Sequence, residues 1–463
     1  MGGRSPNTEL RRVLEDVGWS PYELARRVNK HLPPDRRVHP STPFSWRDRG
    51  TIPREPLPSV IAGVLTEVHG EAVTVERLWP GRTTATETAV RPATADVTAG
   101  QWIPADTTRL LRNHGQTPAG RTFFPVSGSD LISITRSWMS NSHSLAADNG
   151  PLIESTRIST ELVDYFEQDA ASLRRLDDGD SSGHQLRRAV ELRLAHIAEI
   201  LDGCSHTTAL ARRLFAVASQ LAQMAGWTAF DSGEHGLAQR MYLLALRAAV
   251  AADDRALGAL VLSCIAQQQT WRGRPRDAIS IMSALDTARH PMLPRAQSLL
   301  LMRQARSFAA SGMHIETMSS LQRAYEALDT PSREPEPPWG YWMNRAVLDS
   351  EAGRCHLMLG DRRLAEAHLS DGLAQVAADA TRDRVMYGLS LALTHLPSNH
   401  RPGDVEQACY QTEQVLPLLP SIGSARCHSL LNTVLSHLRP YHKTAAVREL
   451  MDKVESQQQP QVC

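Results

Sequence analysis

Small and apolar residues recur at helical spacing between Leu221 and Leu246, with a polar break in the middle. The residues of the two halves are Ala222, Ala225 and Gly226, then Ala238, Tyr242 and Ala245. The break is Asp231-Ser232-Gly233, and glycine readily takes the positive φ with which many helices end. The pattern predicts two antiparallel helices that meet through small side chains.

The same pattern returns along the C-terminal half of the chain. The turn glycines are Gly233, Gly273, Gly312, Gly360 and Gly403, at intervals of 40, 39, 48 and 43 residues. Seven residues before each turn glycine stand Gly226, Ala266, Ala305, Gly353 and Leu396, and five after it stand Ala238, Ala278, Thr317, Ala365 and Ala408. A proline-rich stretch at 331–338 interrupts the array and explains the longest interval. Recurrence at such a period predicts stacked helix pairs.

The order of these residues, small, small, glycine, turn, alanine, aromatic, alanine, resembles a tetratricopeptide repeat. An array of this kind has a concave groove lined by the first helix of each pair. Counting from the turn glycines, the groove residues are expected to be Gln223, Trp227, Phe230, Gln267, Met302, Arg306 and Arg354. Arginines beside amides and a tryptophan suit an extended peptide or a small acidic ligand. The aromatic members could equally be packing between repeats.

The first eighty residues show a second set of helix signals. Asn7 is placed to cap a helix with an apolar inner face, and Ser20 begins the next helix with Pro21 and Glu23 behind it. A third helix is expected around Trp46. A fourth would span Leu57–Val68 and a short fifth Val73–Trp79.

The stretch from Ser45 to Pro53 resembles the end of the recognition helix in XRE-type helix-turn-helix regulators. That family has a Ser-x-Trp-x-x-Gly-x-x-Pro pattern, and this chain carries Ser45, Trp46, Arg49, Gly50 and Pro53. The turn in the family is three or four residues, whereas here a loop at 31–40 adds about eight. Such a loop can bulge outward from an intact helix pair, or it can mark a domain that has kept the fold but no longer binds DNA.

The net charge near the N-terminus favours binding to nucleic acid. From Asn7 to Arg54 there are ten basic and six acidic residues, a net +4 in a chain of formal charge zero, and phosphate binding needs a local excess of this sign. The resemblance implies base contacts from Thr42, Phe44, Ser45 and Arg47. Arg49 and Arg54 would lie on phosphates. The alternative is a solvated, arginine-rich surface that binds no nucleic acid.

Other classes of function find little support in the 463 residues. We find no phosphate-binding loop, dinucleotide fingerprint, nucleophile elbow or zinc-protease motif. The six cysteines form no CxxC pair, so neither a metal nor another cofactor is expected. No apolar run of transmembrane length or signal-peptide core appears. We expect a cytoplasmic protein that is not an enzyme and does not engage a membrane.

These observations predict an all-α chain, with an N-terminal helix-turn-helix domain and a C-terminal tetratricopeptide-like α-solenoid. The expected boundaries are 1–82 for the first domain, 83–158 for a linker and irregular packing segment, 159–455 for the repeats and 456–463 for a tail. Trp102, Phe123, Phe124 and Trp138 would anchor the linker on the first helices of the array.

The architecture resembles a class of actinobacterial regulators, some described as negative regulators of differentiation and antibiotic production. The resemblance implies transcriptional regulation through double-stranded DNA, a homodimer formed by the array, and control by a peptide, small molecule or protein in the groove. The alternative is a tetratricopeptide scaffold whose helix-turn-helix no longer binds DNA.

Overall fold

A computed structural model of the chain describes residues 5–29, 37–54, 57–69, 73–80, 90–94, 96–98, 101–115, 122–140, 157–178, 183–287, 292–397 and 403–458. Apart from two strands of three residues each, the regular structure of the described residues is helical, so the all-α prediction is confirmed. No helix among them is both long enough and apolar enough to cross a membrane.

The N-terminal unit contains five helices. They are α1 (Thr8–Asp16), α2 (Pro21–Val28), α3 (Thr42–Asp48), α4 (Leu57–His69) and α5 (Val75–Leu78). The Asn7 side chain accepts a hydrogen bond from the Leu10 N–H, and the Ser20 hydroxyl accepts one from the Glu23 N–H. Both caps satisfy backbone groups that a helix start leaves unpaired.

A separate apolar core holds these helices together, with Leu10, Leu24, Trp46 and Ile61 almost fully buried. The ends of the long loop after α2 are joined by Asn29, which donates to the Val38 carbonyl and accepts from the Val38 N–H, both at 2.8 Å. This clamp holds the two ends of the loop together. Residues 30–36 of the loop lie outside the described part of the chain.

The segment predicted as an irregular linker contains regular elements. They are β1 (Val90–Pro92), α6 (Pro104–Gly115), β2 (Thr122–Phe124) and α7 (Ser129–Ser140), and the two strands pair in parallel with Val90 opposite Thr122. Their signal in the sequence is weak because the strands have only three residues each and polar stretches of sequence separate the helices.

The array begins with α8 (Thr160–Asp178) and α9 (Gly183–Gly203). The predicted pairs follow as α10 (Thr208–Asp231) with α11 (His235–Ala252), α12 (Arg255–Trp271) with α13 (Pro275–Thr287), α14 (Pro294–Ala309) with α15 (His314–Asp329), α16 (Arg345–Leu359) with α17 (Arg362–Gln375), and α18 (Thr381–His395) with α19 (Val405–Val415). Helices α20 (Ala425–Leu438) and α21 (Ala445–Gln458) end it. Short 3-10 helices occur at Pro338–Gly340, Leu416–Ser421 and Arg439–Tyr441.

The first four turn glycines, Gly233, Gly273, Gly312 and Gly360, have the positive φ that the pattern predicts, whereas Gly403 does not. The small residues lie where helices approach closely. A Cβ on Gly226 would stand 2.6 Å from the Tyr242 ring, and one on Gly353 would stand 2.7 Å from the Leu369 side chain. Side chains larger than hydrogen are therefore excluded at these two positions.

The described anchors of residues 83–158 pack on α11 and α12, which belong to the first half of the array. The Arg247 guanidinium on α11 covers the Trp102 ring, and Arg240 covers Phe123. Trp138 is buried against Gly258 on α12, where a Cβ would stand 2.5 Å from the indole. The side chain of Phe124 lies outside the described residues.

Candidate functional site

The inner helices of the array surround a cavity of about 130 Å³. Its walls come from α8, α10, α12, α14, α16, α18 and α20, together with the segment around Trp339 and Trp342. The lining side chains are Arg174, Asp177, Gln223, Met224, Trp227, Leu260, Gln267, Met302, Arg303, Trp339, Trp342, Val347, Glu351, Arg354, Arg382, Asp383, Met386, Tyr387 and Arg426. The cavity thus combines charge with a largely aromatic and thioether surface.

Ion pairs between residues distant in sequence close one side of the cavity. The Asp231 carboxylate at the end of α10 accepts from Arg426 Nε at 2.7 Å and from the Ser424 hydroxyl at 2.8 Å. Arg382 on α18 stands 3.7 Å from Asp231 and 3.4 Å from Asp177 at the end of α8. These contacts join α8 and α10 to α18 and α20, so the array turns back on itself around the cavity.

The ion pairs on this side of the cavity, called the closure below, join Asp177, Asp231, Arg382 and Arg426. Their charges are retained in spite of burial. Burial raises the pKa of Asp231, but the charges of Arg426 and Arg382 outweigh it and hold the pKa below the usual range. Desolvation likewise opposes the charge on Arg382, while Asp177 and Asp231 raise its pKa. Each charge is retained only because its partner is present.

Glu351 on α16 forms a second buried ion-pair group. Its carboxylate accepts a hydrogen bond from Arg354 at 2.8 Å and lies 3.1 Å from Arg306 Nε. The side chain of Arg306 is only 2% exposed. Burial, followed by the charge of Arg354, lowers the pKa of Arg306. Arg306 therefore belongs to the packed interior, where it supports Glu351.

Arg303 on α14 differs from Arg354, Arg382 and Arg426, each of which contacts a carboxylate. Its guanidinium donates to the Ser263 hydroxyl at 3.1 Å and to the Cys264 thiol at 3.0 Å. It lies over the rings of Trp227 and Trp342, 5.3 and 6.0 Å from their centroids. The side chain is 4% exposed, and in the described part of the chain it has no carboxylate partner.

Aromatic rings pack against the guanidinium of Arg426. The Arg426 guanidinium lies 4.9 Å from the ring centroid of Trp227 and 4.6 Å from that of Phe230. Phe230 is fully buried and meets Trp227 edge to face. Cation–π contacts of this kind gain strength where water is excluded.

Most of the predicted groove residues face the cavity. Gln223, Trp227, Gln267, Met302 and Arg354 line it, whereas Phe230 and Arg306 do not. Arg306 and Arg354 do not form one open anion site, because Glu351 contacts both and Arg306 is buried. The sequence did not point to Asp177, Asp231, Arg303, Arg382 and Arg426 as members of the site. Asp177 and Asp231 stand at helix ends, where turn chemistry alone accounts for them, and the arginines carry no periodic signal.

The second candidate surface lies on α2 and α3. Trp46 is buried, while Thr42, Phe44, Ser45 and Arg47 are partly exposed and Arg49 and Arg54 are exposed. Phe44 meets the exposed ring of Tyr22 edge to face at 4.9 Å, and the Arg47 guanidinium lies 5.2 Å from the Phe44 centroid. One aromatic and basic surface therefore spans both helices.

Carboxylates compete for the basic groups of this surface. Asp48 accepts two hydrogen bonds from Arg47, at 2.7 and 2.9 Å, and one from Arg11 at 3.2 Å. Glu23 holds Arg26 and Arg27 in the same way, at 2.7 Å each. Hydrogen bonding to Arg26, the largest cause, lowers the pKa of Glu23 to about 2.

Comparison with known proteins gives one finding for this end of the chain. Residues 10–78 match a family model described as the SP15 N-terminal domain, a stretch that ends with the last residue of α5. A search of curated proteins finds no match to the chain. No group of three or more metal-ligating side chains occurs among the described residues.

Proposed function

We propose that the chain is a transcriptional regulator that binds double-stranded DNA through α2 and α3 and responds to a ligand in the array. In this proposal the N-terminal unit is an XRE-type helix-turn-helix domain and the helix pairs are tetratricopeptide-like repeats. A homodimer would present two recognition helices to two half-sites. Control of development or secondary metabolism is the expected output.

The observation that carries the DNA-binding part is the placement of α3. Its buried residue Trp46 fixes the helix in the core, while Phe44 and Arg47 remain on the outer side beside Tyr22 of α2. A recognition helix reads base edges with such outward residues. The clamp between Asn29 and Val38 supports the proposal, because it keeps the long loop from separating the two helices.

Selection from a random pool of double-stranded DNA tests this part. The full chain should enrich one sequence class, and Arg47→Ala should weaken binding to it by about 1–3 kcal/mol while relaxing preference at one position. Arg54→Ala should instead weaken binding to all sequences alike and lower the salt dependence. Enrichment of no sequence by the wild-type chain would refute the proposal.

The alternative function is that of a scaffold that binds other proteins through the array. The observation in its favour is that Asp48 already occupies the Arg47 guanidinium with two hydrogen bonds. A DNA phosphate or base must displace this carboxylate before Arg47 can bind. The scaffold predicts that neither Arg47→Ala nor Arg54→Ala alters any function of the chain.

A further inference from the structure

The geometry points to a small aromatic carboxylate, one ring in size and bearing a hydrogen-bond donor, as the ligand of the cavity, with Arg303 as its anchoring charge and Gln267 as its acceptor. This inference rests on the proposed ligand response and specifies its chemistry. It narrows the peptide, small molecule or protein of that proposal to one class.

The charge of the ligand follows from Arg303. Arg354, Arg382 and Arg426 each contact a carboxylate of the chain, whereas the guanidinium of Arg303 reaches only a hydroxyl, a thiol and two indole rings. Arg303 helps to lower the pKa of Glu351, but the two side chains form no ion pair, and a buried charge without a paired counter-ion is costly. A ligand carboxylate beside Arg303 would pair with it directly and form charge-assisted hydrogen bonds.

The sign of the whole cavity agrees with this assignment. Five arginines and three carboxylates line it, and the Asp231 carboxylate pairs with two of those arginines, so a small excess of positive charge remains. Burial raises the pKa of one of those carboxyls, that of Asp383, which further favours an anion over a cation as the occupant.

The size of the ligand follows from the volume. A cavity of about 130 Å³ is close to the roughly 150 Å³ of an engineered cavity that binds benzene. The volume therefore indicates a ligand body about one ring in size. Trp227 and Trp342 offer ring faces, and Met224, Met302 and Met386 offer polarisable thioethers, which together suit a flat aromatic body.

The hydrogen-bond donor follows from Gln267. This side chain lines the cavity and is 8% exposed, and its carbonyl oxygen accepts no hydrogen bond from the described residues. A buried acceptor without a partner costs free energy. A hydroxyl or amino group on the ring would satisfy it.

Calorimetry with 4-hydroxybenzoate as the probe tests the inference on the full chain. The neutral isostere 4-hydroxybenzamide and the donor-free benzoate are the comparison probes. We expect 4-hydroxybenzoate to bind at least about tenfold more tightly than the amide, since a hydrogen bond to a charged group is lost with the carboxylate. Benzoate should bind more weakly than 4-hydroxybenzoate by a smaller factor.

Variants place the probe within the molecule. Arg303→Met keeps the volume and removes the charge, and should weaken 4-hydroxybenzoate binding at least about tenfold. Gln267→Leu should remove the preference for 4-hydroxybenzoate over benzoate. Arg345→Met is the matched control, because Arg345 also covers an aromatic ring, that of Tyr325 at 4.5 Å, but stands outside the cavity with an exposed side chain. It should bind like the wild type.

Three results would overturn the inference: equal affinity for the acid and the amide, no effect of Arg303→Met in a folded variant, or no binding of 4-hydroxybenzoate at millimolar concentration. The comparison of probes on the wild-type chain decides the matter even if Arg303→Met fails to fold. Binding that leaves affinity for selected DNA unchanged would support this site and refute the proposed ligand response. DNA binding without binding of the probe would refute the site alone.

Discussion

Arginine performs different tasks at the two ends of this molecule. On the N-terminal unit Arg26, Arg27 and Arg47 form ion pairs on the surface, with side chains 26–64% exposed. Around the cavity Arg306, Arg354 and Arg426 are 2–9% exposed and contact buried carboxylates. Exposed pairs contribute about 0–1 kcal/mol, whereas removing one partner of a buried pair costs several. The surface can exchange its partners for a ligand, and the interior cannot.

Loss of the Asp231 carboxylate should give the largest effect. Asp231→Ala leaves Arg426 and Ser424 without their acceptor and removes one of the two carboxylates beside Arg382. We expect a loss of about 3–5 kcal/mol in the free energy of unfolding, measured by denaturant titration. The matched change on the surface, Asp48→Asn, should cost less than about 1 kcal/mol. Equal losses in the two variants would remove the distinction between the regions.

Acid should reveal a buried basic group in α6. Burial, followed by the charge of Arg240, lowers the pKa of His114 to about 4. The folded pKa lies below the unfolded value, so folding favours the neutral ring. Stability is complete above about pH 6.5 and falls as the pH drops toward 4, by about 3 kcal/mol in total. His114→Gln should abolish this part of the pH profile, and the exposed His442→Gln should not.

Close helix contacts inside the array should be less sensitive than the closure. A Cβ on Gly353 would meet the Leu369 side chain at 2.7 Å and its backbone nitrogen at 2.9 Å. Gly353→Ala should therefore cost about 1–3 kcal/mol through overpacking, read from thermal unfolding. Gly203→Ala is the control, since nothing lies within 4 Å of its Cβ position. A destabilised control together with an unaffected Gly353→Ala would contradict the assigned helix contact.

The smallest effect is expected on the surface. Asp48→Asn frees Arg47 and Arg11 from their carboxylate and removes a negative charge from the proposed DNA-binding surface. Affinity for selected DNA should rise by up to about tenfold at low salt, measured by fluorescence anisotropy. Weaker binding in this variant would indicate that Asp48 positions Arg47 for recognition.

The helix pairs could be predicted because their signals are local. The spacing of Gly226, Gly353 and the turn glycines fixes contacts within one repeat. The contact between Asp231 and Arg426 could not be predicted, because it forms only after the intervening helix pairs have stacked, and the curvature of a repeat array is the sum of small rotations between repeats. Arg306 occupies the same repeat position as Arg354, yet Glu351 and the following repeat enclose it. The burial of Arg306 depends on the following repeat, and the spacing of residues along the sequence does not reveal it.

The contact between Arg426 and Asp231 joins residues 195 positions apart, which has a consequence for folding kinetics. Helix pairs form from near neighbours and need little loop closure, whereas this contact has a high contact order. We therefore expect the helix pairs to fold early and the contact between Arg426 and Asp231 to form last. The cavity would exist only after that final step, so binding of 4-hydroxybenzoate during refolding should lag behind the recovery of helical circular dichroism.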